Sequence, residues 1–303
     1  MSLRTSTLSA GVAALTAMVL LAGCGGSSTK SKSKPATATG TAVAANKKVE
    51  SELPAAIKSK GTLTVAADAT YPPNEFIAPN GHTVEGMDAD LATALAGVMG
   101  VKVKVVNATF DSIIPGLAAK KYDLGMSSFT DTKERQKTVD FVTYFSAGTA
   151  FYVKATGGPT ITSLADLCGH KVAVEKGTTQ AADATAQGKK CRAAGKPGVT
   201  VLVFPDQNGA NLALSSGRAV VGMADSPVAA YQVKQSNGQF KLVGKPYGTA
   251  PYGIAMPKGS GLPKALLDAL KVLMSDGKYR AILQKWGVAE GAISKPTING
   301  AIS

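Results

Sequence analysis

The sequence predicts an α/β protein built as two consecutive units, each a parallel sheet covered by helices. Short β-branched apolar runs alternate with segments whose apolar residues recur at helical spacing. That alternation of strand and helix then restarts midway along the chain. With 303 residues, 45% of them hydrophobic, the chain is long enough to bury two compact cores.

The amino terminus comes first. Arg4 supplies a positive start, and residues 8–22 are apolar and rich in small side chains. The run is shorter than the roughly 20 residues needed to span a bilayer, and it has the shape of a secretory signal. It ends in Leu21, Ala22, Gly23 and Cys24, which resembles the bacterial lipobox, whose cysteine becomes the lipidated first residue of the mature chain. The plain alternative is an ordinary signal peptide with a stray cysteine. Residues 1–23 are therefore expected to be a lipoprotein signal peptide and 24–52 a lipidated cysteine and flexible tether. Residues 25–46 are rich in Ser, Thr, Ala and Lys and have no apolar period. Lys30, Lys32 and Lys34 would face anionic headgroups or simply aid solubility.

The ordered part is expected to begin near Leu53. Residues 62–66 (TLTVA) form a buried strand. Residues 88–99 form a helix with Asp88 as its N-cap and Leu91, Leu95 and Val98 at helical spacing. Residues 101–106 (VKVKVV) form the next strand, 111–119 a helix with Ile113, Ile114 and Leu117 on one face, and 123–127 a third strand. The second unit begins with a short helix at 164–167 and a strand at 171–174. A helix at 178–186, a strand at 199–204, a helix at 208–216 and a strand at 219–224 follow. Residues 252–256 form a last strand, and helices at 263–275 and 278–286 close the chain.

Cys168 and Cys191 remain once Cys24 is set aside. A secreted chain meets an oxidising environment, so an even remainder suggests one disulfide. It would close a loop of about 23 residues and contribute about 3 kcal/mol on the loop-entropy estimate. Two cysteines and two distant histidines, His82 and His170, do not have zinc spacing, and neither a metal nor a cofactor is expected. The formal net charge of +13 comes from scattered lysines with no aromatic-interleaved basic stripe, which argues against a nucleic-acid partner.

Open parallel sheets bind ligands beyond the carboxyl ends of their strands. Ala67, Asp68, Ala69, Thr70, Tyr71, Pro72 and Pro73 follow the first strand. Ser127, Ser128, Phe129 and Thr130, then Arg135, follow the third. Gly177, Thr178 and Thr179 follow one strand of the second unit, and Asp225 and Ser226 follow another. Two acids, an aromatic, hydroxyls and an arginine together suit a small zwitterion.

At these positions the chain resembles the polar amino-acid-binding proteins of bacterial ABC transporters, the glutamine-, histidine- and lysine/arginine-binding type of solute-binding protein family 3. The resemblance covers roughly residues 60–288. It rests on DATYPPNEF (68–76), GMDADLATAL (86–95), FDSIIPGLAAKKYDLGMSSFTDTKER (110–135), VDF (139–141), KVAVEKGTTQ (171–180), GRAVVGMADSPVAAY (217–231), NGQFKLVG (237–244), YGIAMPKGS (252–260) and GKYRAILQKWG (277–287), in that order. It implies two Rossmann-like lobes joined by a two-crossing hinge, the type II periplasmic binding protein-like fold. Lobe 1 would comprise 53–153 and the returning 246–288, lobe 2 would be the insert 154–245, and 289–303 would be a C-terminal tail. Cys168 and Cys191 would then stiffen one lobe without locking the hinge.

The resemblance also assigns roles. Arg135 matches the arginine that holds a ligand α-carboxylate, where a guanidinium forks onto both oxygens. Asp225 matches the acid that pairs with the α-ammonium; its bland alternative is a helix N-cap. Ser127, Ser128 and Thr130 match positions that complete the zwitterion cage, Ser127 through its carbonyl. Thr179 lies at a helix start, where backbone N–H groups favour an anion. Tyr71 and Phe110 match an aromatic pair that sandwiches the ligand side chain. Asp68 matches the acid that reaches that side chain in basic-amino-acid binders, with Gln180 and Gln207 as weaker candidates. Asn74 stands where many relatives have Phe, an expected change in the pocket wall.

The resemblance thus implies a monomeric lipoprotein on the outer face of the cell membrane. It would bind a free amino acid by domain closure and pass it to an ABC permease with its ATPase. Two rivals carry the same pocket or fold: a sensor subunit for a membrane kinase, and an enzyme of dehydratase or lytic type. An enzyme would need an acid or base on the reacting bond, whereas the pocket candidates are committed to the ligand's own charges.

Overall fold

The computed structural model describes residues 43–302. The expected signal peptide, Cys24 and the tether as far as residue 42 lie outside them. In chain order the elements are α1 (Lys47–Glu52), α2 (Ala55–Lys60), β1 (Thr62–Ala67), β2 (Thr70–Tyr71), β3 (Glu75–Ile77), β4 (Val84–Glu85), α3 (Met87–Val98), β5 (Lys102–Asn107), α4 (Phe110–Ala118) and β6 (Leu124–Gly125). They continue with β7 (Val139–Lys154), β8 (Lys171–Glu175), α5 (Thr179–Ala193), β9 (Thr200–Phe204), α6 (Gln207–Ser215), β10 (Val221–Asp225), α7 (Ser226–Gln235), β11 (Phe240–Pro257), α8 (Pro263–Ser275) and α9 (Lys278–Lys285).

The main sheet has the order β5-β1-β6-β11-β7-β10-β8-β9. Its two ends are parallel: β1 pairs with β5 and β6, and β8 pairs with β9 and β10. Between them β7 and β11 form a long antiparallel ribbon. One end of the ribbon lies beside β6 through Ala255, and the other lies beside β10 through Thr149 to Tyr152. These strands are the two chain crossings, and each serves both halves of the sheet. The sheet is therefore mixed, and the purely parallel expectation holds only within each half.

The ribbon also sets polarity. Because β11 is antiparallel to β6, β7 to β11 and β10 to β7, the strands of the two halves run in opposite directions. They are staggered along the ribbon, so their carboxyl ends point at each other across its middle. Register shifts between Val243 and Tyr247, between Tyr247 and Ala250, and between Tyr252 and Gly253 mark the stretch of β11 where the ribbon passes from one half to the other. Bulges of this kind bend and twist a strand pair locally.

Each half has its own core. Leu63, Val65, Leu91, Leu95, Val98, Leu266, Leu270 and Leu273 pack the first. Phe151, Val153, Val172, Val174, Ala184, Val221 and Met223 pack the second. The helical spacings that predicted α3 and α8 are the spacings of these buried residues.

The structure departs from expectation in several places. An ordered helix, α1, precedes Leu53; Asn46 caps it and Val49 is buried. Asp88 is not the N-cap of α3. That position belongs to Gly86, whose φ is +130° and where a Cβ would collide with the Asn74 carbonyl. The first helical N–H groups are instead taken by loop carbonyls, Met87 by Pro73 and Asp88 by Asn74. The residues after α9 pack along β7: Thr297 bonds Thr143, and Asn299 bonds Phe141 and Asp140.

Cys168 and Cys191 are joined, with Cα atoms 5.6 Å apart, within the second half. Replacing both by serine is expected to lower stability by about 3 kcal/mol in urea or guanidinium titrations. Ligand affinity should be unchanged, because the bridge ties the last turn of α5 to the turn after residues 164–167, both within one half.

Candidate ligand-binding site

The facing strand ends enclose a cavity with about 350 Å³ of empty space, its mouth included. The first half contributes Tyr71, Phe110, Ser128, Thr130 and Arg135. The second contributes Thr178, Thr179, Gln180, Gln207 and Asp225. The halves touch around it. Lys176 pairs with Asp111 at 2.8 Å, Arg135 Nη2 donates to the Gly177 carbonyl at 3.1 Å, and the Gln207 N–H donates to Thr70 Oγ1 at 3.3 Å. The cleft is shut.

Arg135 follows β6 on a short 3₁₀ turn. Its Nη1 donates to the Thr130 carbonyl at 2.8 Å, and its guanidinium stacks on Phe110 and Phe129 at 5.2 and 5.4 Å. Among the described residues no carboxylate forms an ion pair with it. Burial draws its pKa down to about 10, with Asp225 acting in the opposite sense, so it is cationic at neutral pH. Held by carbonyls and aromatic faces, the guanidinium keeps donors for an incoming anion.

Asp225 ends β10 and occupies the N-cap position of α7, yet its side chain makes no capping bond. Its Oδ1 accepts from Gln180 Nε2 at 2.7 Å and its Oδ2 from the Tyr252 hydroxyl at 2.6 Å. Burial raises its pKa while Tyr252, Gln180 and Arg135 lower it. The N-cap alternative therefore falls to geometry, and Asp225 faces the cavity.

The other predicted residues divide. Thr130, Thr179, Gln180 and Gln207 line the cavity, as do Tyr71 and Phe110, whose rings meet edge to face with centroids 5.9 Å apart. Thr179 opens α5, which Thr178 caps through a bond from the Ala181 N–H. Ser128 lines the cavity in a left-handed conformation, φ +51°. Its hydroxyl donates to Glu75 and accepts from Asn74, and its N–H donates to Asp88. Asn74 is thus fully buried behind Ser128 and not part of the pocket wall, a correction to the expectation.

Ser127 and Asp68 do not line the cavity. The Ser127 hydroxyl accepts from the Asp68 N–H at 2.8 Å. Asp68 accepts from Thr70 Oγ1 at 2.6 Å and from the Phe110 N–H at 2.9 Å, which holds the first turn of α4. Behind Ser128, burial pushes Asp88 up to about 6, and Glu75 is raised by burial and by Asp88. Two buried carboxyls side by side do not both ionise.

One acid was missed. Glu175 ends β8 immediately before the Gly177 turn and is 1% exposed. Burial first, and the charge of Asp68 second, push its pKa up to about 9. The signal was present in KVAVEKGTTQ: an acid at the carboxyl end of an apolar strand, the same placement that singled out Asp68 and Asp225.

A body of two facing α/β halves, with an unpaired guanidinium on one and a carboxylate on the other across one cavity, defines a small-molecule binding protein. The family model for bacterial extracellular solute-binding proteins, family 3, matches residues 63–289, and the chain belongs to that family. It is 35% identical over 253 residues to the arginine-binding protein ArgT of Corynebacterium glutamicum, covering 83% of each chain. It is 32% identical over 278 residues to the ABC transporter glutamine-binding protein GlnH of Bacillus subtilis, covering 90% of this chain and 93% of that one. An ancestral arginine-binding protein bound to arginine superimposes with a TM-score of 0.69 at 41% identity, over 75% of this chain and 98% of that one.

The titration of Glu175 carries a sign. The unfolded carboxyl titrates near the ordinary value of about 4.3, the folded one at about 9. Below the lower value the contribution of Glu175 to stability is complete. Above it the unfolded chain releases the proton first, and the contribution is lost as pH rises toward the upper value. Denaturation of the ligand-free protein between pH 5 and 9 is expected to show stability falling more steeply with pH than in Glu175→Gln.

Proposed function

We propose that this protein is the extracytoplasmic receptor of an ABC importer, capturing a free polar amino acid between its two lobes. The observation that carries the reading is the pairing of Arg135, which lacks a carboxylate partner, with Asp225 across the same cavity. An α-amino acid presents a carboxylate and an ammonium on one carbon, and these two side chains offer the matching charges. Arg135 receives the α-carboxylate, with the N-terminal N–H groups of α5 at Thr179 beside it. Asp225 receives the ammonium, helped by groups of the 127–130 turn. Tyr71 and Phe110 flank the ligand side chain.

Arg135 and Asp225 belong to opposite halves, so a ligand that binds both makes more contacts when the cleft is shut. Such a ligand shifts a hinge equilibrium toward the closed form. The β7–β11 ribbon supplies the hinge, between lobe 1 (53–153 and 246–288) and lobe 2 (154–245). The closed form is what a separate permease, with its ATPase, recognises. Lipidation of Cys24 holds the protein at the outer face of the membrane, and residues 25–46 give it reach. Among the described residues no helix is long and apolar enough to cross a membrane. Relatives named for arginine and for glutamine support a transport role over turnover.

Calorimetry of the full chain against the twenty free amino acids tests this. Binding of one or a few polar amino acids is expected. Arg135→Ala and Asp225→Ala should each weaken it by about a hundredfold or more, the cost of stranding one member of a buried charge pair. A folded protein that binds none of them overturns the reading.

A further inference from the structure

Behind the cavity wall at Ser128, two acids meet that the ligand contacts do not use. Glu75 opens β3 and Asp88 lies in the first turn of α3; they are 0% and 1% exposed. The backbone brings them together, since the Asp88 N–H donates at 2.8 Å to the carbonyl of Asn74, the residue before Glu75. Both acids then bond the same residue. Asp88 Oδ2 accepts from the Ser128 N–H at 3.0 Å, and Glu75 Oε2 accepts from the Ser128 hydroxyl at 3.2 Å. Asn74 Nδ2 donates to that hydroxyl at 3.0 Å. The N–H and the hydroxyl of Ser128 are thus both engaged from behind, while the residue lines the cavity with φ +51°.

A left-handed backbone is uncommon for a residue with a Cβ, and it persists where the surroundings over-determine it. Three buried side chains do so here, and charge constrains two of them. Among the described residues no lysine or arginine forms an ion pair with Glu75 or Asp88. Two buried carboxyls without a cation keep one proton between them. Asp88 has the donors that stabilise a charge: the Tyr144 hydroxyl, 2.7 and 2.8 Å from its two oxygens, and the Ser128 N–H. Glu75 has the Ser128 hydroxyl, and its Oε1 has no partner among the described residues. The charge therefore rests on Asp88 and the proton on Glu75, a neutral acid able to donate. Burial first and the charge of Asp88 second raise the pKa of Glu75, in the same sense.

We propose that Glu75 and Asp88 are positioning residues for the ligand: one as a neutral acid and the other as a carboxylate, they hold Ser128 in its left-handed conformation and so set the 127–130 turn against the ligand ammonium. The inference rests on the amino-acid reading above and adds the groups that shape one wall of its site. Neither acid lines the cavity, so each acts through Ser128. A second charge, on Glu75, would repel Asp88 and spread the pair. A second proton, on Asp88, would cost the Ser128 N–H its charged acceptor. One proton alone satisfies the arrangement.

Two measurements on the full chain test this. The first is carboxyl-carbon NMR of the unmodified protein with isotope-labelled Glu and Asp. Glu75 is expected to be protonated at pH 7, and Asp88 to be ionised there and to titrate at about 6. The second is calorimetry against the twenty free amino acids. Glu75→Ala is expected to weaken binding by more than about tenfold in folded protein. Glu75→Gln keeps a donor toward Asp88 and an acceptor for Ser128, and should restore affinity to within about threefold. Asp88→Asn removes the charge and should stay more than about tenfold weaker. A merely structural role would lower the stability of Glu75→Ala and leave the affinity of its folded fraction unchanged.

Ionisation of both carboxyls at pH 7 overturns the inference, and that measurement needs no variant to fold. So does Glu75→Ala binding as tightly as the unmodified chain, or Glu75→Gln binding as weakly as Glu75→Ala. Each of these outcomes leaves the amino-acid reading intact. Failure of the unmodified chain to bind any of the twenty overturns the amino-acid reading itself, and the inference with it.

Discussion

The antiparallel ribbon of β7 and β11 is the constraint on which the rest of the structure depends. Among the described residues it is the only strand pair that belongs to both halves of the main sheet. Three successive antiparallel pairings, β6 with β11, β11 with β7 and β7 with β10, force the parallel strands of the two halves to point at one another. An open parallel sheet places its ligand beyond the carboxyl ends of its strands. Here two such edges face a single gap, and every candidate contact follows from that. Asp68, Glu175 and Asp225 end or follow strands, while Ser127, Ser128, Thr130 and Arg135 follow β6.

The same ribbon explains why the charges in the gap are left unbalanced. Within one rigid lobe, a guanidinium and a carboxylate near each other would settle into an ion pair. Arg135 and Asp225 sit on different halves and are held apart by other partners, carbonyls and aromatic rings for one, Tyr252 and Gln180 for the other. Under the proposed reading this preorganisation spares both groups a rearrangement when a zwitterion arrives, the cost of ordering them having been met during folding. The hydrogen bond from the Tyr252 hydroxyl, a residue of the ribbon, ties the acid of the second half to the strand that crosses between the halves.

Much of this was legible in the sequence, for a physical reason. Elements that bury one face or both carry a period, and β1, α3, β8, β10 and α8 were recognised by it within a few residues. The crossing strands were not. The 16-residue strand β7 is buried along nearly its whole length, so it has no alternation, and its small and polar residues break the apolar run. The 18-residue β11 is exposed and irregular over its first two thirds, and only its buried end, near 252–256, showed as a strand. The cavity residues at strand ends were found because topology puts ligands there. Asn74 and Ser127 could not be sorted from sequence, because whether a side chain faces the cavity or props a neighbour depends on partners distant in the chain.

Asp68 and Glu175 show how far such sorting matters. By resemblance Asp68 was the acid for a ligand side chain, but its oxygens are engaged by Thr70 and by the first N–H of α4. Its charge remains near the cleft while its hydrogen bonds belong to the fold of the first half. Glu175 is the reverse: a buried strand-end acid whose pKa is pushed up to about 9 by burial first and by the charge of Asp68 second. It also lies on the second half. Under the proposed reading, the ligand side chain would meet Tyr71 and Phe110 of the first half and Gln180 and Gln207 of the second, groups that come together only across the closed cleft. Discrimination between amino acids and closure of the hinge would become one event. An ill-fitting side chain would fail to hold the lobes shut, even if its α-groups docked on Arg135.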